Sequence, residues 1–451
     1  MKKIVLLFFS FVCFTELSNA QYTKLLDFAG STNGSYPHGD LVSDGNFLYG
    51  MANGGTYDFG VVFKILPDGT LNNVIYQFND TVGSNPSGSL IYDGNFLYGM
   101  TGSGGSNDMG TIFRIMPDGT NYFVLHNFSG TDGKHPWGSL ISDGNFLYGM
   151  TNTGGANDAG VIFKTMPDGT GYSVLFDFNS GYNSYGSLFS DGNFLYGMTH
   201  LGGTYLYGTI FRIKTDGTQY STIFNFNFSN GMGPYGSLIS DGTYLYGMTY
   251  EGGTIGGGVL FRIKPDGTAY TVLLNFDGTS NGMHPDGSLL YDGTYLYGMT
   301  QQGGINNYGV IFKIKPDGTN YYKLLDFEGS TNGDSPTGSL IYSDGSFFGM
   351  TPGGGINNLG TIFKYTVTTS LNENESEQVF YINPNPSSDY LIINSHANSI
   401  IEILNMTGQI IKSINSNKIS TTVDLTDLSS GVYIVRVKTD KKNITKKIIK
   451  E

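Results

Sequence analysis

The chain has 451 residues, among them 67 Gly, 32 Tyr and 31 Phe, and a formal net charge of −13. Glycine without a Gly-X-Y period excludes collagen, and so many aromatic residues exclude a disordered polymer. The charge is concentrated: residues 21–377 hold 13 Lys and Arg against 30 Asp and Glu, which argues against a nucleic-acid partner because such a body repels phosphate.

The N-terminus opens with Lys2 and Lys3, continues through the apolar run IVLLFFSFVCF and ends in the polar stretch TELSNA at Ala20. This is the plan of a secretory signal, residues 1–20, with cleavage expected before Gln21. The only cysteine, Cys13, lies inside it, so the mature chain has no disulfides and no thiolate metal ligands. No later stretch has the roughly eighteen apolar residues of a membrane helix, and no transmembrane segment is expected.

From residue 21 one phrase recurs. The Gly of LYGM, or of FFGM in the last copy, falls at Gly50, Gly99, Gly149, Gly197, Gly247, Gly298 and Gly349, with spacings of 49, 50, 48, 50, 51 and 51 residues. That period suits a kelch-like propeller blade. In the third copy four strands are expected, GSLI (138–141), FLYGMT (146–151), GVIFKT (160–165) and YSVLFDF (172–178). Asp-Gly turns at SDGN and PDGT join the first two and the last two. Phe146, Tyr148 and Met150 are expected on one face, with Gly149 leaving room for a neighbouring blade.

The phase of the repeat predicts how it closes. The fourth-strand pattern appears first at Tyr22–Phe28, whereas the seventh copy runs from GTIFKY (360–365) into TVTTS with no PDG turn. The N-terminal strand therefore completes the last blade. The expected fold is all-β: a seven-bladed β-propeller over residues 21–367, an acidic linker at 368–378 and a small C-terminal β-sandwich at 379–451. The unit GSLIxDGxxLYGMTxxGGxxxxGxIFKIxPDG resembles the GloVer repeat of bacterial proteins over roughly residues 22–367. That resemblance implies a propeller-like body and no particular activity.

The tail changes pattern. NPNP (383–386), NMTGQII (405–411), LSSGVYIVRV (428–437) and KKIIK (446–450) resemble the type A C-terminal sorting domain of the type IX secretion system. The resemblance implies that Pro384, Asn385, Pro386, Gly408, Gly431, Tyr433, Lys446 and Lys447 belong to the sorting signal. It also implies that the secretion machinery is a partner and that the chain is secreted or held on the outer surface of a Gram-negative bacterium.

Seven copies also show where variation is allowed. The DGN and PDG turns on one face of the disc are nearly identical, whereas the loops of the opposite face differ. The differing loops place Tyr36, His38, Trp137, Tyr185, Tyr235, Tyr250, Glu251, His284 and Asp286 around the channel mouth. Residues that stack and hydrogen-bond suit a glycan or a protein ligand. Asp40 stands alone where the other six copies have Ser.

Glu251, Asp286 and Asp334 are candidates on the variable face for a pair of catalytic carboxylates, with nothing in the sequence to fix their separation. The turn aspartates are accounted for as hairpin formers, and His38, His135 and His284 come from different blades, so no metal and no cofactor is assigned. The sequence leaves enzymatic activity undecided and ranks the readings. A non-catalytic binding module comes first, a polysaccharide-cleaving propeller second, and an adhesive or structural scaffold third.

Overall fold

A computed structural model describes residues 21–179, 182–366 and, in the tail, 381–383, 387, 389–394, 399–405, 409–418, 420–438 and 443–450. The expected signal and linker, and Pro384, Asn385, Pro386 and Gly408, lie outside these residues. All regular structure among the described residues is β, and none of it is a helix long and apolar enough to cross a membrane. The chain divides into two compact units, one up to Thr368 and one from Thr369 onward.

The first unit contains seven four-stranded antiparallel sheets. Sheet one is made of Val42–Ser43, Leu48–Ala52, Val61–Ile65 and Asn73–Gln77. Sheets two to six repeat that order. Sheet seven takes three strands from Ile341–Ser343, Ser346–Thr351 and Thr361–Thr366, and its fourth from Gln21–Asp27. The expected closure is therefore present.

The N-terminal strand also reproduces the contacts of its counterparts. Phe28 N–H donates to Gly360 O as Phe178 N–H donates to Gly160 O. Asp27 Oδ1 accepts from Ile356 N–H as Asp177 Oδ1 does from Ala156 N–H. Even the register slip between third and fourth strands recurs, at Lys24/Leu26 and at Ile162/Phe163.

The periodicity of the strands explains the packing. Tyr148 and Met150 from one face of sheet three join Leu188, Leu195 and Phe211 of sheet four in one core, with Phe146 against it. Leu147, Val161 and Phe163 on the other face pack against Tyr98 and Met100 of sheet two. Each sheet is thus buried on both sides, and a buried Phe of this kind contributes about 2–3 kcal/mol.

Two expectations need correction. The space kept by Gly149 is filled from its own sheet, because a Cβ there would lie 2.5 Å from Phe163 Cζ and 3.1 Å from Leu140 Cδ2. The ladder of sheet three begins only at Ile141, and Ser139 before it donates its N–H to Ser187 Oγ of the next unit instead.

The turn aspartates do act as hairpin formers. Asp143 Oδ1 accepts from Asn145 and Phe146 N–H, and Oδ2 from the Tyr148 hydroxyl at 2.8 Å, a pattern shared by sheets one to six. Third-strand cations tie neighbouring units on this face. The Arg114 guanidinium lies 4.8 Å from the centre of the Phe96 ring and donates to Pro167 O.

The second unit has a three-stranded sheet (Tyr381–Asn383, Tyr390–Asn394, Ser420–Asp424) and a four-stranded one (Ile410–Ser416, Ser399–Leu404, Gly431–Lys438, Asn443–Lys450). Leu391, Ile393, Ile401, Ile403, Val423, Val435 and Ile448 from both sheets share one core. Gly431 opens a strand, and Tyr433 reaches the core while its hydroxyl donates to Ser429 O at 2.8 Å. Lys446 and Lys447 lie on the last strand, opposite Val435 and Ile434.

Candidate functional site

Each of the seven units brings a short segment to the axis, X-Gly-Asp in the first and X-Gly-Ser in the other six. The segments from His38-Gly39-Asp40 to Thr337-Gly338-Ser339 line a single open cavity of about 770 Å³ at the channel mouth. Glycine is required here by close approach: a Cβ on Gly88 would lie 2.2 Å from Gly138 O, and one on Gly338 2.5 Å from Gly39 O.

Hydrogen bonds run in the same direction around the ring. Asp40 N–H donates to Ser89 Oγ at 2.7 Å, Ser89 N–H to Ser139 Oγ at 2.7 Å, and so on to Ser288 N–H and Ser339 Oγ at 2.8 Å. The last link is Ser339 N–H to the Asp40 carboxylate. Asp40 thus closes the ring where the first and last units meet. Burial raises its carboxyl, and the Ser339 N–H opposes that shift.

On this ring stands an arc of aromatic rings confined to sheets three to six. Trp137 lies 6.2 Å from Tyr185, Tyr185 4.8 Å from Tyr235, Tyr235 5.1 Å from Tyr250, and Tyr250 is stacked on His284 at 4.5 Å. His200 joins from a neighbouring loop, 4.4 Å from Tyr235. Polar ends are oriented by amides: the Tyr250 hydroxyl donates to Gln301 Oε1 at 2.7 Å, and His284 Nδ1 is 3.2 Å from Gln302 Oε1.

Half-buried Asp286 lines the mouth beside these rings. Burial pushes its carboxyl up to about 7. The Tyr235 hydroxyl is pushed up to about 12, by burial first and then by Tyr185, Asp286, Tyr250 and Glu251. Burial lowers the imidazoles of His38 and His200, which favours their neutral forms.

A second cavity of about 530 Å³ opens beside the mouth between sheets four and five. His200, Leu201, Leu206, Tyr207, Met232, Tyr235, Tyr250 and Glu251 line it. The buried Nδ1 of His200 rests against Gly233 without a well-formed hydrogen bond.

Two sequence profiles match the chain. The Gloeobacter/Verrucomicrobia repeat matches residues 51–241 and 185–381, most of the chain. The chain belongs to the Gloeobacter/Verrucomicrobia repeat family. The secretion system C-terminal sorting domain matches residues 381–451 of this repeat protein, so it is a secreted or cell-surface protein whose tail engages the secretion machinery. No curated protein matches it.

Among solved structures, the repeat protein is similar to PorZ, described as an essential bacterial surface component of the type-IX secretion system of Porphyromonas gingivalis. The identity is 15% and the TM-score 0.45, over 94% of this chain and 60% of PorZ, so the chain spans about 60% of PorZ's length. It is also similar to oligogalacturonate lyase from Vibrio parahaemolyticus, at 12% identity and TM-score 0.52 over 78% of this chain and 95% of the lyase. An oligogalacturonate lyase in complex with manganese aligns at 11% identity and TM-score 0.50, over 78% of this chain and 94% of that one. The two lyase likenesses show a propeller-like fold and no activity.

In the repeat protein, the expected face residues divide into groups. His38, Trp137, Tyr185, Tyr235 and Asp286 line the mouth, whereas Tyr250 and Glu251 line the side cavity with Tyr235. His284 supports Tyr250 from outside both cavities. Tyr36 is 46% exposed and held by its backbone to Leu359 of sheet seven, away from both.

The three candidate carboxylates are separated in the same way. Asp286 is in the mouth, Glu251 in the side cavity, and Asp334 lies against Gly353 and accepts from the Ser335 hydroxyl. His38 lines the mouth, His135 is tied to Gly102 O at 2.8 Å, and His284 is on Tyr250.

Sequence reasoning overlooked Leu201, Leu206, Tyr207 and Met232. One signal was available: Leu206 occupies the loop position held by Asp58, Asp108, Asp158, Asn307 and Asn358 in other units.

Proposed function

We propose that this secreted protein is a non-catalytic binding module, a kelch-like seven-bladed propeller whose ligand, glycan or protein, sits on the loop face at the channel mouth. In this reading residues 1–20 are the signal, 21–367 the propeller, 368–378 the linker and 379–451 a small sorting sandwich. The supporting observation is the continuous arc from Trp137 through Tyr185, Tyr235 and Tyr250 to His284 on one side of the mouth, with Asp286 beside it. Aromatic platforms with a few oriented polar groups are the usual means of holding a sugar ring or a peptide loop.

The cleaving reading has less support, because its carboxylates line different places and none is paired with another. The purified full chain tests the binding reading on a glycan and polysaccharide array and in a peptide-display selection. Replacing Trp137 and Tyr235 together with Ala is expected to weaken any ligand found by about a hundredfold, the loss of two aromatic anchors, with no loss of fold by circular dichroism. Unchanged affinity in that variant rejects the mouth as the site.

A further inference from the structure

The loop face is uneven at its rim as well as at its mouth. Leu206 has a backbone φ of +65° and is 66% exposed. The corresponding residues in other units, Asp58, Asp108, Asp158, Gly256, Asn307 and Asn358, are of types that tolerate the left-handed region. A branched apolar side chain held there, in solvent, is strained where the other units are not.

Beside it Leu201 is 41% exposed, Ile255 64% and Phe228 48%, and all belong to sheets four and five. Sheets two and three carry Ser106, Asn107, Ala156 and Asn157 in the corresponding loop. The corresponding loops of sheets six and seven also expose Ile305 and Ile356, at 76% and 77%, and the sector of sheets four and five adds a cavity among its apolar side chains, which is the form of a protein-docking surface.

The cavity selects for charge. Leu206, Met232 and the Tyr235 and Tyr250 rings make walls that suit an aliphatic stem, while Glu251 is the only charged group among its lining residues if His200 is neutral. Glu251 forms no ion pair among the described residues, and the surrounding body is strongly acidic.

We infer that the sector of sheets four and five docks a partner protein that inserts a Lys or Arg side chain into this cavity. The stem packs between Leu206 and Met232, and the cation lies against the tyrosine rings and Glu251. This rests on the loop face being the binding face, and it narrows the ligand to a protein.

The test uses the full chain and a displayed library of random dodecapeptides, followed by titration with the selected peptides as synthetic probes. Selected peptides are expected to need one basic residue flanked by apolar ones. They should lose about tenfold or more in affinity on Leu206→Asp and on Glu251→Gln, and stay within about twofold on Glu328→Gln, an exposed carboxylate elsewhere. Leu206→Asp restores the residue that sheets one to three already carry, so the fold is retained. Peptides that ignore both changes but are lost in the Trp137/Tyr235 double variant overturn this inference and leave the binding face standing. Peptides insensitive to all of these changes, or a glycan as the only ligand found, also overturn it, and the glycan result again leaves the binding face standing.

Discussion

Asp286 shows how one side chain acquires a property that its residue type does not supply. Its carboxyl titrates at about 7 because burial at the mouth strips away water, whereas an unfolded Asp titrates near 4. Between about pH 4 and 7 the folded chain therefore binds this proton more tightly than the unfolded one. The contribution of Asp286 to stability is fully present below about pH 4 and is lost as pH rises through about 7. Asp286→Asn is expected to raise the melting temperature by about 2–4 °C at pH 8 and leave it unchanged at pH 3.5. Equal gains at both pH values in thermal melts would show that burial of the charge is not the cause. Asp286 itself was legible as a carboxylate on the variable face. Leu206 was marked in the sequence only by standing where other copies have Asp or Asn, and its strain was invisible until its φ was known.

Among the elements, the N-terminal strand carries the most structural consequence for the least sequence. Phe28 is fully buried and packs with Phe63, Phe348 and Ile362, so it joins sheet seven to sheet one. The Tyr22 hydroxyl donates to Asn332 O at 2.6 Å, as Tyr172 does to Asp132 O. Phe28→Ala is expected to cost about 3–5 kcal/mol in chemical denaturation, the same as Phe178→Ala. A cost below about 1 kcal/mol would mean that the strand is an accessory rather than part of the closed ring. The phase of the repeat made this strand readable in advance. The shortness of the innermost strands was not, since residues 138–140 have strand-like composition while Ser139 is bonded into the ring at the axis.

At the scale of the whole molecule, the acidic body and its address are separate. The tail core is built from tail residues alone, with Glu402 buried between Arg436 and Lys438 at 2.5 and 2.8 Å. Deleting residues 379–451 is expected to leave the melting transition of the body intact and to keep the protein in the periplasm, read by fractionation and immunoblot. Appearance of the truncated chain in the medium or on the cell surface would remove the tail's role as the address.

The sequence by itself determined what depends on period and composition: the β class, the number and phase of the units, the turn chemistry and the sorting tail. All but the tail are legible because each follows from local geometry repeated every fifty or so residues, and the tail is legible from motifs of its own. Only the tertiary structure decided which variable residues meet. Trp137, Tyr185 and Tyr235 are far apart along the chain and adjacent at the mouth, while Asp334 is drawn elsewhere by its own neighbours. Ring closure brings together residues from separate units, and no local rule predicts which of seven similar loops leans toward the axis and which toward the rim.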